Sequence, residues 1–193
     1  MTTLIPYTCD MARAMVFVDG ENLAIRYGSV LKQRNETQRP EIRYVPDVFV
    51  WSTVLNLPQS STPAVMRKYY YTAVQGDEPA LTDIEKQLKS VGMETPRVFK
   101  KQKGKGSKRV DIMLATDMLL HATRKHYDVA VLVAGDEDYV PLVRAVQGEG
   151  ARVYVWFISD GLSPALKMAA DYYVDLDEFL FNHLDVSIPE CCG

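Results

Sequence analysis

Cysteine is nearly absent from the chain: Cys9, Cys191 and Cys192 sit near its two ends. They show no C-x-x-C spacing and no histidine in zinc-finger register, so they read as unpaired thiols on tails. The terminal Cys-Cys-Gly is too short for a prenylation box. Histidine is equally sparse, and His121, His126 and His183 are scattered without ligand spacing. No apolar run has the length of a membrane span. Residues 1–10 lack the basic stretch and apolar core of a secretory signal, which makes the cytoplasm the expected compartment. Excess positive charge is missing too: the net charge is −3, which argues against a protein that coats duplex DNA electrostatically. Nucleic acid as such is not excluded.

What is present is globular. Hydrophobic residues make up 47% and charged residues 24% of 193 positions, enough to build a sizeable core without a long disordered stretch. The length suits one domain, expected over residues 13–184, with tails at 1–12 and 185–193. Basic residues are unevenly spread, for Lys100, Lys101, Lys103, Lys105, Lys108 and Arg109 crowd into one segment.

Apolar runs at 14–18, 129–134 and 153–158, with a tyrosine- and valine-rich run at 66–74, predict strands. A short edge strand is expected at 97–99 and a last one at 172–176. Helical spacing predicts helices from Asn22 toward Lys32, over 81–91, over 110–126 (the longest), over 139–147 and over 162–170, with a closing turn at 177–183. Residues 33–43 read as a loop and 58–63 as a turn. Pro46, with Val50, Trp51, Val54 and Leu55 as an apolar face, predicts one more helix through Leu57. Strands alternating with helices, and apolar throughout, indicate a mainly parallel sheet covered on both faces. Ligands of such sheets gather at the carboxyl ends of the strands.

Four acids are expected at that edge. Asp19 directly follows the strand at 14–18, and Asp136 and Asp138 follow the strand at 129–134. Asp111 lies in the first turn of the long helix, whose start returns to the same side. Each has an ordinary reading: a turn at Asp19-Gly20, an N-cap at Asp138, a first-turn acid at Asp111. Together they would repel one another and raise each other's pKa unless a cation compensates. Mg2+ or Mn2+ suits oxygen ligands of this kind and could activate water for phosphodiester hydrolysis. Asp117 falls on the inward stripe of the same helix, roughly 9 Å along the axis from Asp111 at about 1.5 Å per residue. It is expected to play a supporting or structural part rather than to bind metal. Asn22 either caps the first helix or orients Asp19 or a water.

Three segments carry a family resemblance. Val-Phe-Val-Asp-Gly-Glu-Asn at 16–22, Lys-Arg-Val-Asp-Ile-Met-Leu-Ala-Thr-Asp at 108–117 and Val-Leu-Val-Ala-Gly-Asp-Glu-Asp-Tyr-Val-Pro-Leu-Val at 131–143 resemble, in order and spacing, the signature blocks of NYN domains, the LabA-like branch of the PIN-like nucleases. The resemblance implies a three-layer α/β/α sandwich with a mainly parallel central sheet, an acidic metal site and ribonuclease activity. By position it makes Asp19, Asp111, Asp136 and Asp138 the catalytic and metal-binding acids. Two departures stand out: Glu137 occupies a place where a small residue such as serine is common, and no counterpart is found for the glutamate that many PIN nucleases carry on an earlier helix.

The basic segment at 100–109 abuts Asp111, and Lys103, Lys105, Lys108 and Arg109 are expected to meet an RNA backbone, single-stranded or structured. Gly104-Lys105-Gly106-Ser107-Lys108 lacks Walker spacing and does not make a phosphate loop. Tyr69, Tyr70 and Tyr71 could present one ring for base stacking, but strand alternation favours core packing. A catalytically inactive NYN domain that binds RNA or a protein is the alternative function. A phosphotransfer domain of the haloacid-dehalogenase kind is less apt, because Asp19 is not followed by its Asp-x-Asp arrangement. A homodimer is left open.

Overall fold

The structure, a computed structural model, describes residues 12–56, 63–101 and 108–181. The turn expected at 58–63, Lys103, Lys105, His183 and all three cysteines therefore lie wholly or mostly outside the described residues. In chain order the elements are β1 (Arg13–Asp19), α1 (Gly20–Arg34), β2 (Ile42–Val45), β3 (Phe49–Ser52), β4 (Ala64–Val74), α2 (Glu78–Ser90) and β5 (Thr95–Lys100). They continue with α3 (Lys108–Thr123), β6 (Val129–Val133), α4 (Val140–Gly148), β7 (Arg152–Phe157), α5 (Pro164–Ala169), β8 (Tyr172–Asp175) and α6 (Asp177–Leu180).

Six strands form one sheet in the order β5-β4-β1-β6-β7-β8, and every pairing in it is parallel. The alternation along β1 explains the layers. Val16 and Val18 join a core with Leu23, Ala24, Tyr27 and Val30 of α1 and Leu88 of α2. Phe17 faces the other way, into a core with Leu114 and Met118 of α3 and Val143 of α4. Helices therefore cover both faces, which is the α/β/α sandwich. On α3 the buried positions Val110, Leu114, Met118 and Ala122 recur every fourth residue, and full burial of each larger side chain contributes about 1.5–3 kcal/mol.

The region around Pro46 differs from the sequence expectation. Instead of a helix, β2 and β3 form an antiparallel hairpin with Tyr44 opposite Val50 and Arg43 opposite Trp51. Pro46 sits at the first central position of the connecting turn, and Asp47 follows with φ of 57°. Proline followed by a positive φ is type II turn chemistry, and the β-branched and aromatic residues after it favour a pleated strand over a helix. The hairpin is fastened from below: the Tyr70 hydroxyl donates to the Val50 carbonyl at 3.1 Å and accepts from its N–H at 3.0 Å, while the Thr72 hydroxyl donates to Val48. Tyr69, Tyr70 and Tyr71 are all buried, so none offers a ring to solvent. His121 also has a partner that its spacing hid, its Nδ1 lying 2.8 Å from His126 Nδ1.

Chain direction reverses beside β1. The chain runs outward through β4 and β5, then returns by α3 to β6 on the other side. The ends of β1 and β6 thus flank the switch point, where open parallel sheets leave a crevice.

Candidate active site

Asp19 is the last residue of β1 and the N-cap of α1: its Oδ1 accepts the Asn22 N–H at 3.1 Å. The cap is therefore Asp19, and Asn22 stands one turn inside the helix. The Asn22 side chain reaches across to the β6 loop, accepting the Gly135 N–H at 3.3 Å. That bond ties the two strand ends together.

Two glycines permit the close approach. A Cβ at Gly20 would stand 1.9 Å from the Tyr70 ring, and one at Gly135 would stand 2.2 Å from the Phe157 ring. Tyr70 is fully buried and doubly bonded to Val50, so it cannot yield. Gly20→Ala is accordingly expected to cost about 2 kcal/mol as an overpacked core. That corresponds to roughly 5 °C in Tm for a domain of this size, read by thermal unfolding.

On the opposite wall Asp136 caps the short 3-10 turn Glu137–Tyr139, accepting the Asp138 N–H at 3.2 Å. This turn points Tyr139 inward. Its hydroxyl lies 2.9 Å from Asp19 Oδ2 and 3.4 Å from Asp111 Oδ1, so it bridges β1 and α3 with one proton to donate. The resulting cleft of ≈ 340 Å³ is lined by Asp19, Glu21, Asn22, Asp111, Asp136, Asp138 and Tyr139, with Ile25, Ile112, Ala115 and Leu142 as apolar walls. All four sequence-predicted acids meet there. Asp117 does not line it; its carboxylate accepts from the Tyr71 hydroxyl at 2.9 Å and faces Arg97 Nε at 3.8 Å. Of the basic residues, Arg109 stacks 4.9 Å over the Phe99 ring, and Lys101 bonds Glu21.

Electrostatics follow from burial. Asp19 is only 4% exposed, and its pKa is pushed up to about 7, chiefly by desolvation and also by the neighbouring charge of Asp111, against the lowering effect of the Asn22 and Tyr139 hydrogen bonds. Asp111 is raised as well, first by burial and then by the charges of Asp136, Glu21 and Asp138. Among the described residues, no lysine, arginine or histidine lines the cleft. Hard carboxylate oxygens in a cleft where, among the described residues, only Glu21 has a basic partner, Lys101, fit Mg2+ or Mn2+. Among the described residues no three acidic, cysteine or histidine side chains are already arrayed around a common metal position. Ligation would thus require side-chain rotation, to which the exposed Asp136 and Asp138 are suited.

Two residues of the site escaped sequence reasoning. Tyr139 reads as an ordinary helix opener, and Glu21 enters only as part of the segment at 16–22. The signal for Glu21 was its place beside Asp19 in Asp-Gly-Glu-Asn, but its basic partner, Lys101, lies 80 residues away.

Fold and cleft together define an α/β domain with an acid-lined cleft at the carboxyl ends of its central strands. The NYN domain model matches residues 13–177, most of the chain, and the chain belongs to that family. NYN and PIN-like nucleases usually use divalent metals, and membership supports a nuclease-type function. Among solved structures the chain is similar to a protein of unknown function from Vibrio parahaemolyticus, at 19% identity and a TM-score of 0.63, over 88% of this chain and 96% of that one. That likeness concerns the fold. No curated protein matches. Among the described residues, no helix is long and apolar enough to cross a membrane.

Proposed function

We propose that the protein is a divalent-metal-dependent ribonuclease that hydrolyses RNA phosphodiester bonds, with Asp19, Asp111, Asp136 and Asp138 holding Mg2+ or Mn2+. The observation that carries this reading is the convergence of four carboxylates from β1, α3 and the β6 loop on one cleft that, among the described residues, no basic side chain lines. When bound, a divalent cation lowers the pKa of water and neutralises charge on the scissile phosphate. The protein's own part is positioning. Tyr139 and the Asn22 N–H fix both oxygens of Asp19, while Asn22 keeps the two strand ends in register. Ile25 and Ile112, both exposed at the mouth, provide apolar surface for a base or ribose. An adjoining groove with Arg26 and Ser163 shares Asn22 and Asp136 with the cleft, which suits a polymer longer than one nucleotide.

The basic segment would supply the electrostatic attraction. Neutralising Lys103, Lys105 and Lys108 together is expected to weaken RNA binding and to reduce the slope of log K against log salt by roughly 2, at about 0.7 per phosphate contact on a single strand. Binding titrations at several salt concentrations measure it, and an unchanged slope removes the segment from substrate contact.

A second reading has one observation on its side. Tyr139 already bridges Asp19 and Asp111, an arrangement that could serve a catalytically inactive NYN domain acting as an RNA- or protein-binding module. Chelator-sensitive cleavage of RNA by the purified protein separates the two.

A further inference from the structure

Glu21 is a fifth carboxylate in the cleft, and the four-acid set leaves it unexplained. It is 6% exposed and lines the same space as Asp19 and Asp111. Its Oε1 accepts from the Lys101 ammonium, whereas its Oε2 has no hydrogen-bond partner among the described residues. Buried ionic oxygens are seldom left unsatisfied in folded proteins, because desolvation is then uncompensated. A purely structural ion pair would be expected to engage both oxygens, or to leave the second one in water. Here the second one is buried, on a residue that lines a cleft already collecting negative charge.

We propose that Glu21 is a further ligand of the divalent-cation centre, offering Oε2 either to the ion or to a water on it. This rests on reading the cleft as such a centre. Lys101 compensates the other oxygen, and so permits a fifth acid at a site where unrelieved repulsion would expel it. Lys101 directly follows β5, where its N–H donates to the Val74 carbonyl at 2.8 Å, and it is the second residue of the basic segment. The same ion pair therefore joins the centre to the point where that segment leaves the sheet.

The test is Mn2+ titration of the metal-free full chain, by calorimetry or by the electron paramagnetic resonance signal of free Mn2+, with no RNA present. Glu21→Gln keeps the side chain's size and an oxygen for Lys101, and is expected to weaken Mn2+ about 10-fold or more. Glu21→Ala, which removes the whole group, is expected to match it. Lys101→Met, by deleting a nearby positive charge, is expected to tighten Mn2+ instead. Unfolding curves taken in chelator establish that each variant is folded. Wild-type affinity in both Glu21 variants would overturn the proposal, as would equal weakening by Glu21→Gln and Lys101→Met, which marks a structural pair. Failure of the wild type to bind Mn2+ would instead overturn the reading of the cleft on which the proposal rests.

Discussion

Asp19→Asn is expected to abolish metal-dependent RNA cleavage, a loss on the order of 10³-fold, while making the metal-free protein more stable at neutral and alkaline pH. The two effects have one cause. Asp19 is buried at the end of β1 with its pKa pushed up to about 7, so the fold favours its neutral form. A carboxyl raised in the folded state contributes stability that is complete below its unfolded value of about 3.8 and lost as pH rises toward about 7. Across that window the loss approaches about 1.4 kcal/mol per pH unit. Asparagine carries no charge to desolvate and remains a good N-cap for α1 through its one oxygen, while its amide nitrogen, in the place of Oδ2, can donate to the Tyr139 hydroxyl and leave that proton for Asp111. The Tm advantage of the variant in chelator should therefore widen from pH 4 to pH 7 and level off above. Added Mn2+ should raise the wild type far more than the variant. A variant less stable than wild type at pH 8 in chelator would contradict this account of Asp19.

Asp136→Asn is expected to lose cleavage to a similar degree, yet to leave stability within about 0.5 kcal/mol of wild type. Asp136 is exposed, and its structural task is to accept the Asp138 N–H at the head of the 3-10 turn. Asparagine does that equally well. The paired variants thus separate two properties that a single knockout confounds: both remove a carboxylate from the cleft, but only one removes a buried charge. Thermal unfolding in chelator beside single-turnover RNA cleavage reads both. Retained metal-dependent cleavage by Asp136→Asn would take that residue out of the centre.

The parts of this architecture set by local pattern were legible in the sequence. The apolar runs ending at Asp19 and before Gly135 predict parallel strands, and in the structure they are neighbours flanking the switch point. The helical spacing after Val110 predicts α3, and its first turn carries Asp111 into the cleft. Where local pattern is ambiguous the reading failed. Pro46 opens helices and type II turns alike, and only the positive φ of Asp47 and the anchorage of Val50 to Tyr70 decide for the hairpin. Contacts between distant segments left no periodic trace. Tyr139 to Asp19 spans 120 residues and Lys101 to Glu21 spans 80. Neither the bridging hydroxyl nor the buried fifth acid could be inferred from spacing.

The most direct test of the acidic metal centre is incubation of the purified wild type and Asp136→Asn with a mixed RNA pool, in Mn2+, in Mg2+ and in chelator. The account predicts cleavage by the wild type with one or both ions, none in chelator and none by the variant. Cleavage that persists in chelator, or that the variant performs as well as the wild type, would contradict it.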